Sequence, residues 1–310
     1  MNRTRRATRL ETALDSMFGG SVSLLLLEQP VEYGNLSWAV FRDQVPVALV
    51  QTPLDESTQA VPLAQARETL IEAINGPGGE ALREIVPLPL SDLALDAPGE
   101  STARRFHVWQ WRDGRRFTPR DRDELPLLLS TASDALQRLH AVQAMRGGPK
   151  SISPALLLEA AARWSTAIDP AALDTLARDS ANGLRPFVSQ TGLGLIHGDF
   201  WWGNLLRDPQ SPVLVDWEEV DDHGLMWLDP LLFTLTLLLD VSPGGTGDGP
   251  ESSEALRWCA AHTGLPSYAL PHGLVFAGLY KAARERGKYR QIDTPVQRWL
   301  RACATRAANV

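Results

Sequence analysis

The 310-residue chain has only two cysteines, Cys259 and Cys303, neither with a neighbour at metal-ligand spacing. That excludes a disulfide framework and a spaced zinc site, and it fits a reducing cytoplasm. A basic excess is lacking too: the formal net charge is −7, whereas nucleic-acid binding needs a cationic face that releases counterions. No apolar run reaches bilayer length. The longest, 228–241, is broken by Asp229, Pro230, Thr234, Thr236 and Asp240 and falls short of the roughly 20 residues a membrane span needs. Arg3, Arg5, Arg6 and Arg9 precede no apolar stretch, so a frayed basic terminus is expected rather than a secretory or transit segment. No lysine stands before Lys150. There is no Gly-x-Ser-x-Gly elbow, Gly148, Pro149, Lys150 and Ser151 lack the Gly directly before Lys that a phosphate loop requires, and Gly192, Leu193 and Gly194 followed by Gly198 miss the dinucleotide fingerprint by one position, so these three chemistries fare worse.

What is present is a globular composition, 44% apolar and 22% charged, in a length that suits two lobes or domains. Short apolar runs at 22–27, 36–41 and 47–51, separated by turn residues including Tyr33, Gly34, Asn35 and Asp43, predict a strand meander. A helix is expected at 63–74, closed by Asn75, Gly76 and Pro77, and strands at 88–95 and 104–111. After Gly114, helical spacing dominates at 125–142, 154–165, 170–178, 228–239, 254–262, 273–286 and 296–307, with short strands around polar loops near 194–220. The expected fold class is α+β, with a strand-rich nucleotide-binding lobe over 1–111 and a larger helical catalytic lobe over 112–310.

One stretch concentrates chemistry. His197, Gly198 and Asp199 follow the apolar Leu195 and Ile196, Asn204 comes five positions after Asp199, and Asp216 closes a second apolar run. An isolated loop Asp is ordinarily a turn former, and Asn204 or Asp216 alone would pass as a cap. The shared spacing is what phosphoryl transfer asks for: a carboxylate for the attacking hydroxyl and oxygen ligands for magnesium. Asp199 is therefore assigned as base, and Asn204 and Asp216 as Mg2+ ligands.

In these residues the sequence resembles the aminoglycoside phosphotransferase and choline kinase superfamily. His197, Gly198, Asp199, Asn204, Asp216, Trp217 and Glu218 match its signature in order and spacing. The segment from Leu136 to Ala141 looks like the helix end before its catalytic loop, and Asp229 with Pro230 looks like its loop-bracing acid. The resemblance implies a two-lobed protein-kinase-like fold and ATP- or GTP-dependent phosphorylation of a hydroxyl on a small molecule. Nucleotide and a hydroxylated substrate would be its partners, and His197 would have a packing role. The nucleotide would lie against a turn at Gly34 and Asn35, a helical Glu68 or Glu72, and Trp109 and Trp111 at the lobe junction. Gln51 stands where the family's strand-borne lysine is expected. Three outcomes follow: an enzyme whose cation is relocated, with Arg42 or Arg67 as substitutes, a slow enzyme, or a pseudokinase-type binding protein. The acceptor stays open, a peptide Ser or Thr included. Glu218, Glu219, Asp221 and Asp222 fit either a cationic acceptor or a solvated acidic loop, and Trp201, Trp202, Trp217 and Trp227 fit either ligand stacking or core packing.

Overall fold

A computed structural model describes residues 3–28, 35–54, 56–96, 103–208, 211–241, 250–289 and 293–308. The first half of the order is α1 (Arg3–Phe18), β1 (Val22–Glu28), β2 (Asn35–Arg42), β3 (Val45–Pro53), α2 (Glu56–Asn75), α3 (Gly79–Arg83), β4 (Pro89–Leu95) and β5 (Arg104–Gln110). The strands form an antiparallel sheet in the order β1-β2-β3-β5-β4. The β2–β3 hairpin turns on Asp43 and Gln44, both left-handed at φ 52° and 67°, the two-residue geometry whose twist matches the flanking strands. Along β3, Ala48 and Val50 are buried under α1, while Leu49 and Gln51 point to the other face and line a cleft.

The expected frayed terminus is a helix instead. Leu10 and Leu14, one turn apart, are buried against Val22, Val40, Val50 and Phe106, and Asp15 Oδ1 accepts the Val22 N–H at 2.7 Å. Burial of one narrow apolar stripe outweighs the run of arginines ahead of it. Helix α2 starts at Glu56, seven residues ahead of expectation, because the chain stays helical through Pro62, a residue that usually marks a helix start.

The second half comprises β6 (Arg115–Arg116), α4 (Leu125–Met145), α5 (Pro154–Ile168), α6 (Pro170–Leu184), β7 (Leu193–Ile196), β8 (Leu205–Arg207), β9 (Val213–Leu214), β10 (Asp221–Leu225), α7 (Leu228–Val241), α8 (Pro250–Thr263), α9 (Leu270–Tyr289) and α10 (Pro295–Ala308). Here α7 is buried on nearly every side, and α4 and α9 contribute to the same apolar core. A strand-rich N-terminal sheet and a helical C-terminal part, the expected α+β class, are what the structure has. Two small ribbons, β7 with β10 and β6-β8-β9, carry the polar loops at the inner edge of the helical part. No helix among the described residues is long and apolar enough to cross a membrane.

Candidate active site

Strand β7 ends at Ile196, and the chain then turns sharply. Gly198 has φ +80°, and a Cβ there would lie 2.2 Å from the Glu219 carbonyl oxygen, so both backbone conformation and space require glycine. Replacing Gly198 with Ala is expected to destabilise the protein by roughly 1–3 kcal/mol, read as a lower urea midpoint with an unchanged slope.

The turn is held from below by Asp229 in the first turn of α7. Its two carboxylate oxygens accept the His197 N–H at 2.8 Å and the Gly198 N–H at 3.0 Å. Burial pushes this carboxyl up to about 7, against the two N–H donors that favour the anion. His197 is buried: its Nε2 lies 3.0 Å from the Val215 carbonyl and its Nδ1 accepts the Asp199 N–H at 3.3 Å. Burial, the largest influence, lowers its pKa to about 4. A neutral ring with both nitrogens engaged ties the 197–199 turn to the strand before Asp216, which is the packing role expected of it.

Asn204 closes the loop by donating from Nδ2 to the Asp199 carbonyl at 3.0 Å, and its own carbonyl takes the Val215 N–H at 2.9 Å. With one amide N–H committed to the loop, the side-chain oxygen is the acceptor Asn204 can offer the cleft it lines. Asp216 lines the same cleft from a left-handed backbone at φ 64°, a conformation uncommon for a non-glycine residue and concentrated at functional sites. Two hard oxygen donors on one wall, one of them anionic, fit Mg2+.

This cleft, about 470 Å³, lies between the sheet and the loop. Ser37, Leu49, Gln51 and Trp109 line it from the sheet side, and Asn204, Asp216, Trp217 and Glu218 from the other. Gln51 Nε2 donates to Ser37 Oγ at 3.5 Å. Asn35 spans the two sides by donating to Glu218 Oε2 at 2.5 Å. Gly34 lies outside the described residues. Glu68 lines a second depression, with Glu72, Glu218, Glu219, Asp221 and Arg284, and is not among the residues around Gln51. Trp109 borders the cleft, but Trp111 does not: its indole N–H goes to Asp113 at 2.8 Å. The backbone N–H groups of Gln110 and Trp111 donate to Leu88 and Val47 at 2.7 and 3.3 Å, so they are already spent within the protein.

The arginines expected to replace the missing lysine are elsewhere. Arg42 donates to the Phe18 carbonyl, and Arg67 pairs with Asp92 at 2.9 Å with its guanidinium 5.7 Å from the Trp109 ring. Among the described residues, the cation that lines the cleft is Arg116, from β6. A second cation, Lys281 of α9, stands 2.6 Å from Asp199 Oδ1. Neither was marked by the sequence, since each comes from an element remote from the loop in the chain. Trp217 and Trp227 are core residues, with indole N–H groups on the Leu214 and Thr263 carbonyls. Trp201 and Trp202 are half-buried and meet edge to face at 5.1 Å.

Comparison with known proteins comes down to sequence over one segment and fold over the whole. Residues 79–229 match the model of the phosphotransferase enzyme family. No curated protein matches the chain. Aminoglycoside phosphotransferase APH(4)-Ia is 16% identical, with a TM-score of 0.58 and 97% of each chain covered. A choline/ethanolamine kinase family protein from Mesorhizobium loti is 16% identical at a TM-score of 0.57, over 98% of this chain and 94% of that one. The GDP and kanamycin complex of APH(2")-IIia gives 14% and 0.58, over 97% and 99%. Residues 79–229 thus resemble the phosphotransferase enzyme family, and the chain as a whole has the two-lobed kinase-like fold of these aminoglycoside phosphotransferase and choline/ethanolamine kinase structures.

Proposed function

We propose that the protein transfers the terminal phosphoryl group of ATP or GTP to a hydroxyl of a small molecule. The observation that carries this reading is the closed loop in which Asn204 is bonded to Asp199 at 3.0 Å while sharing the cleft wall with Asp216. In the step, the acceptor oxygen forms a bond to the γ-phosphorus and the bond from that phosphorus to the leaving nucleoside diphosphate breaks. The acceptor's proton passes to the Asp199 carboxylate. Asn204 and Asp216 would hold Mg2+, which neutralises charge on the phosphates when bound. The carboxylate-rich surroundings, Glu68, Glu72, Glu218, Glu219 and Asp221 among them, favour an acceptor that is uncharged or cationic. Action in the cytoplasm belongs to the same proposal and rests on the two free cysteines.

Gln51 supports a second reading, a binding protein on a kinase-like scaffold, because no lysine faces the phosphates from β3. Nucleotide thermal shifts with and without magnesium, combined with turnover against a panel of amino alcohols, sugars and aminoglycosides, separate the two. Magnesium-dependent binding with an acceptor-dependent product supports the enzyme, and binding without any turnover supports the scaffold.

Arg116 is the residue from which a phosphate-facing charge is expected. Its replacement by Ala should weaken nucleotide binding roughly threefold to tenfold, the scale of a partly screened charge-assisted contact. Arg42→Ala, whose guanidinium is on the Phe18 carbonyl, should leave it unchanged. Calorimetric titration of the nucleotide checks both.

A further inference from the structure

The chain has thirty basic residues, of which three are lysines: Lys150, Lys281 and Lys288. One of the three sits on the base of the proposed reaction. Lys281 leaves the middle of α9 and places Nζ 2.6 Å from Asp199 Oδ1. Among the described residues it is the partner of that carboxylate; the other loop contacts of Asp199, from His197 and Asn204, fall on its backbone. One turn further along α9, Glu285 Oε1 lies 4.0 Å from the same ammonium. Glu285 is itself fixed, since Oε2 accepts from Thr294 Oγ1 at 2.6 Å, and that hydroxyl also accepts the Gln297 N–H at 3.3 Å as the cap of α10. A line of contacts therefore runs from the start of α10 through Glu285 and Lys281 to Asp199.

Burial opposes the charge on Lys281, but the charges of Asp199, Glu285 and Asp216 and the hydrogen bond to Asp199 outweigh it and raise its pKa. The side chain is 20% exposed, so the cation is held in a partly dry site where an ion pair is directional and less screened. A carboxylate has two equivalent oxygens and a soft terminal torsion. Pinning Oδ1 fixes the rotamer and leaves Oδ2 as the atom that meets the acceptor.

We infer that Lys281 is a positioning residue for Asp199: its ammonium holds Oδ1 and so aims Oδ2 at the acceptor hydroxyl. The role rests on the phosphotransferase reading, because it acts through the base of that reaction. It differs from that of the lysine missing at position 51, which would act on the donor phosphates. The proton and phosphoryl movements are those already given, and Lys281 keeps its own proton throughout.

Two measurements test it. Protein labelled with 15N in lysine gives at most three ammonium signals. One of them should be protected from exchange and should shift in Asp199→Asn; three signals untouched by that change would mean that the pair does not exist and would overturn the inference. In steady-state kinetics, Lys281→Met keeps the stem and removes the charge. It should lower kcat by about 100-fold, the scale of a misplaced reacting group, with the nucleotide KM within roughly twofold of wild type. Lys281→Arg should recover part of the loss, and Lys281→Met added to Asp199→Asn should cost nothing more, because the two act as one unit. A loss confined to nucleotide KM would put the ammonium on the donor phosphates, and an unchanged kcat would leave it a surface ion pair; either result overturns the positioning role. Wild-type protein with no turnover on any acceptor would sink the phosphotransferase reading and this role with it, whereas turnover insensitive to Lys281→Met would sink this role alone.

Discussion

Asp199→Asn should reduce kcat by about 10²–10⁴-fold, the contribution of a well-placed general base, while nucleotide and magnesium binding persist. The substitution keeps the shape of the side chain, so the loop should survive. The bonds that define it run through the Asp199 backbone to His197 and Asn204, and Asn can still accept from Lys281 with its carbonyl oxygen. What it cannot do is take a proton. The proposed magnesium ligands, Asn204 and Asp216, are on the cleft wall and are untouched, so a nucleotide thermal shift measured with magnesium should equal that of wild type. The informative result is the split: chemistry lost with binding kept. If turnover were unchanged, the proton would go elsewhere, and the assignment of Asp199 would be wrong. Loss of both would instead point to Asp199 as part of the nucleotide site.

The sequence made this loop legible because its constraints are local. Asp199 and Asn204, five positions apart, are near enough that one side-chain bond, Nδ2 to the Asp199 carbonyl at 3.0 Å, closes the ring. Gly198 is likewise dictated by its own φ and by the Glu219 carbonyl behind it. The meander of β1 to β3 was legible for the same reason, from alternation and turn residues over short spans. What could not be read comes from contacts without a period or spacing. Lys281 is 82 positions from Asp199, and nothing in the charged second half of α9, with Lys281, Arg284, Arg286 and Lys288 in one run, says which cation turns inward. Arg116 reaches the cleft because β6 pairs with β8, a two-residue strand too short to signal itself. Trp111 was expected to lie against the nucleotide, but its backbone N–H is taken by Val47 and its indole by Asp113; main-chain pairing at a sheet end is set by register, which composition does not carry.

The largest effect on the folded state is expected at Asp229. Changing it to Ala leaves the His197 and Gly198 N–H groups, which it accepts at 2.8 and 3.0 Å, buried without partners, each costing about 1–3 kcal/mol. The sum, roughly 2–6 kcal/mol, is comparable with the whole stability of many domains. The urea midpoint should fall steeply, and kcat should fall with it in any protein that still folds, since the same two N–H groups set the turn that presents Asp199. The pH dependence identifies the state of the carboxyl. Its pKa is raised from 3.8 to about 7, so its stabilising contribution is full below 3.8 and is lost as pH rises through about 7. His197, depressed to about 4, works in the opposite sense: its contribution is present above 6.5 and is lost as pH falls through about 4. The two slopes oppose each other in the wild type. The difference between wild type and Asp229→Ala removes the histidine's share and should widen as pH falls from 8 toward 5, by at most about 1.4 kcal/mol per unit. Urea midpoints of both proteins at pH 5 and pH 8 measure it. An equal difference at both values would mean that the two N–H donors prevail over burial and keep Asp229 ionised throughout, and the raised pKa would then be wrong while the bracing role stands on the size of the loss itself.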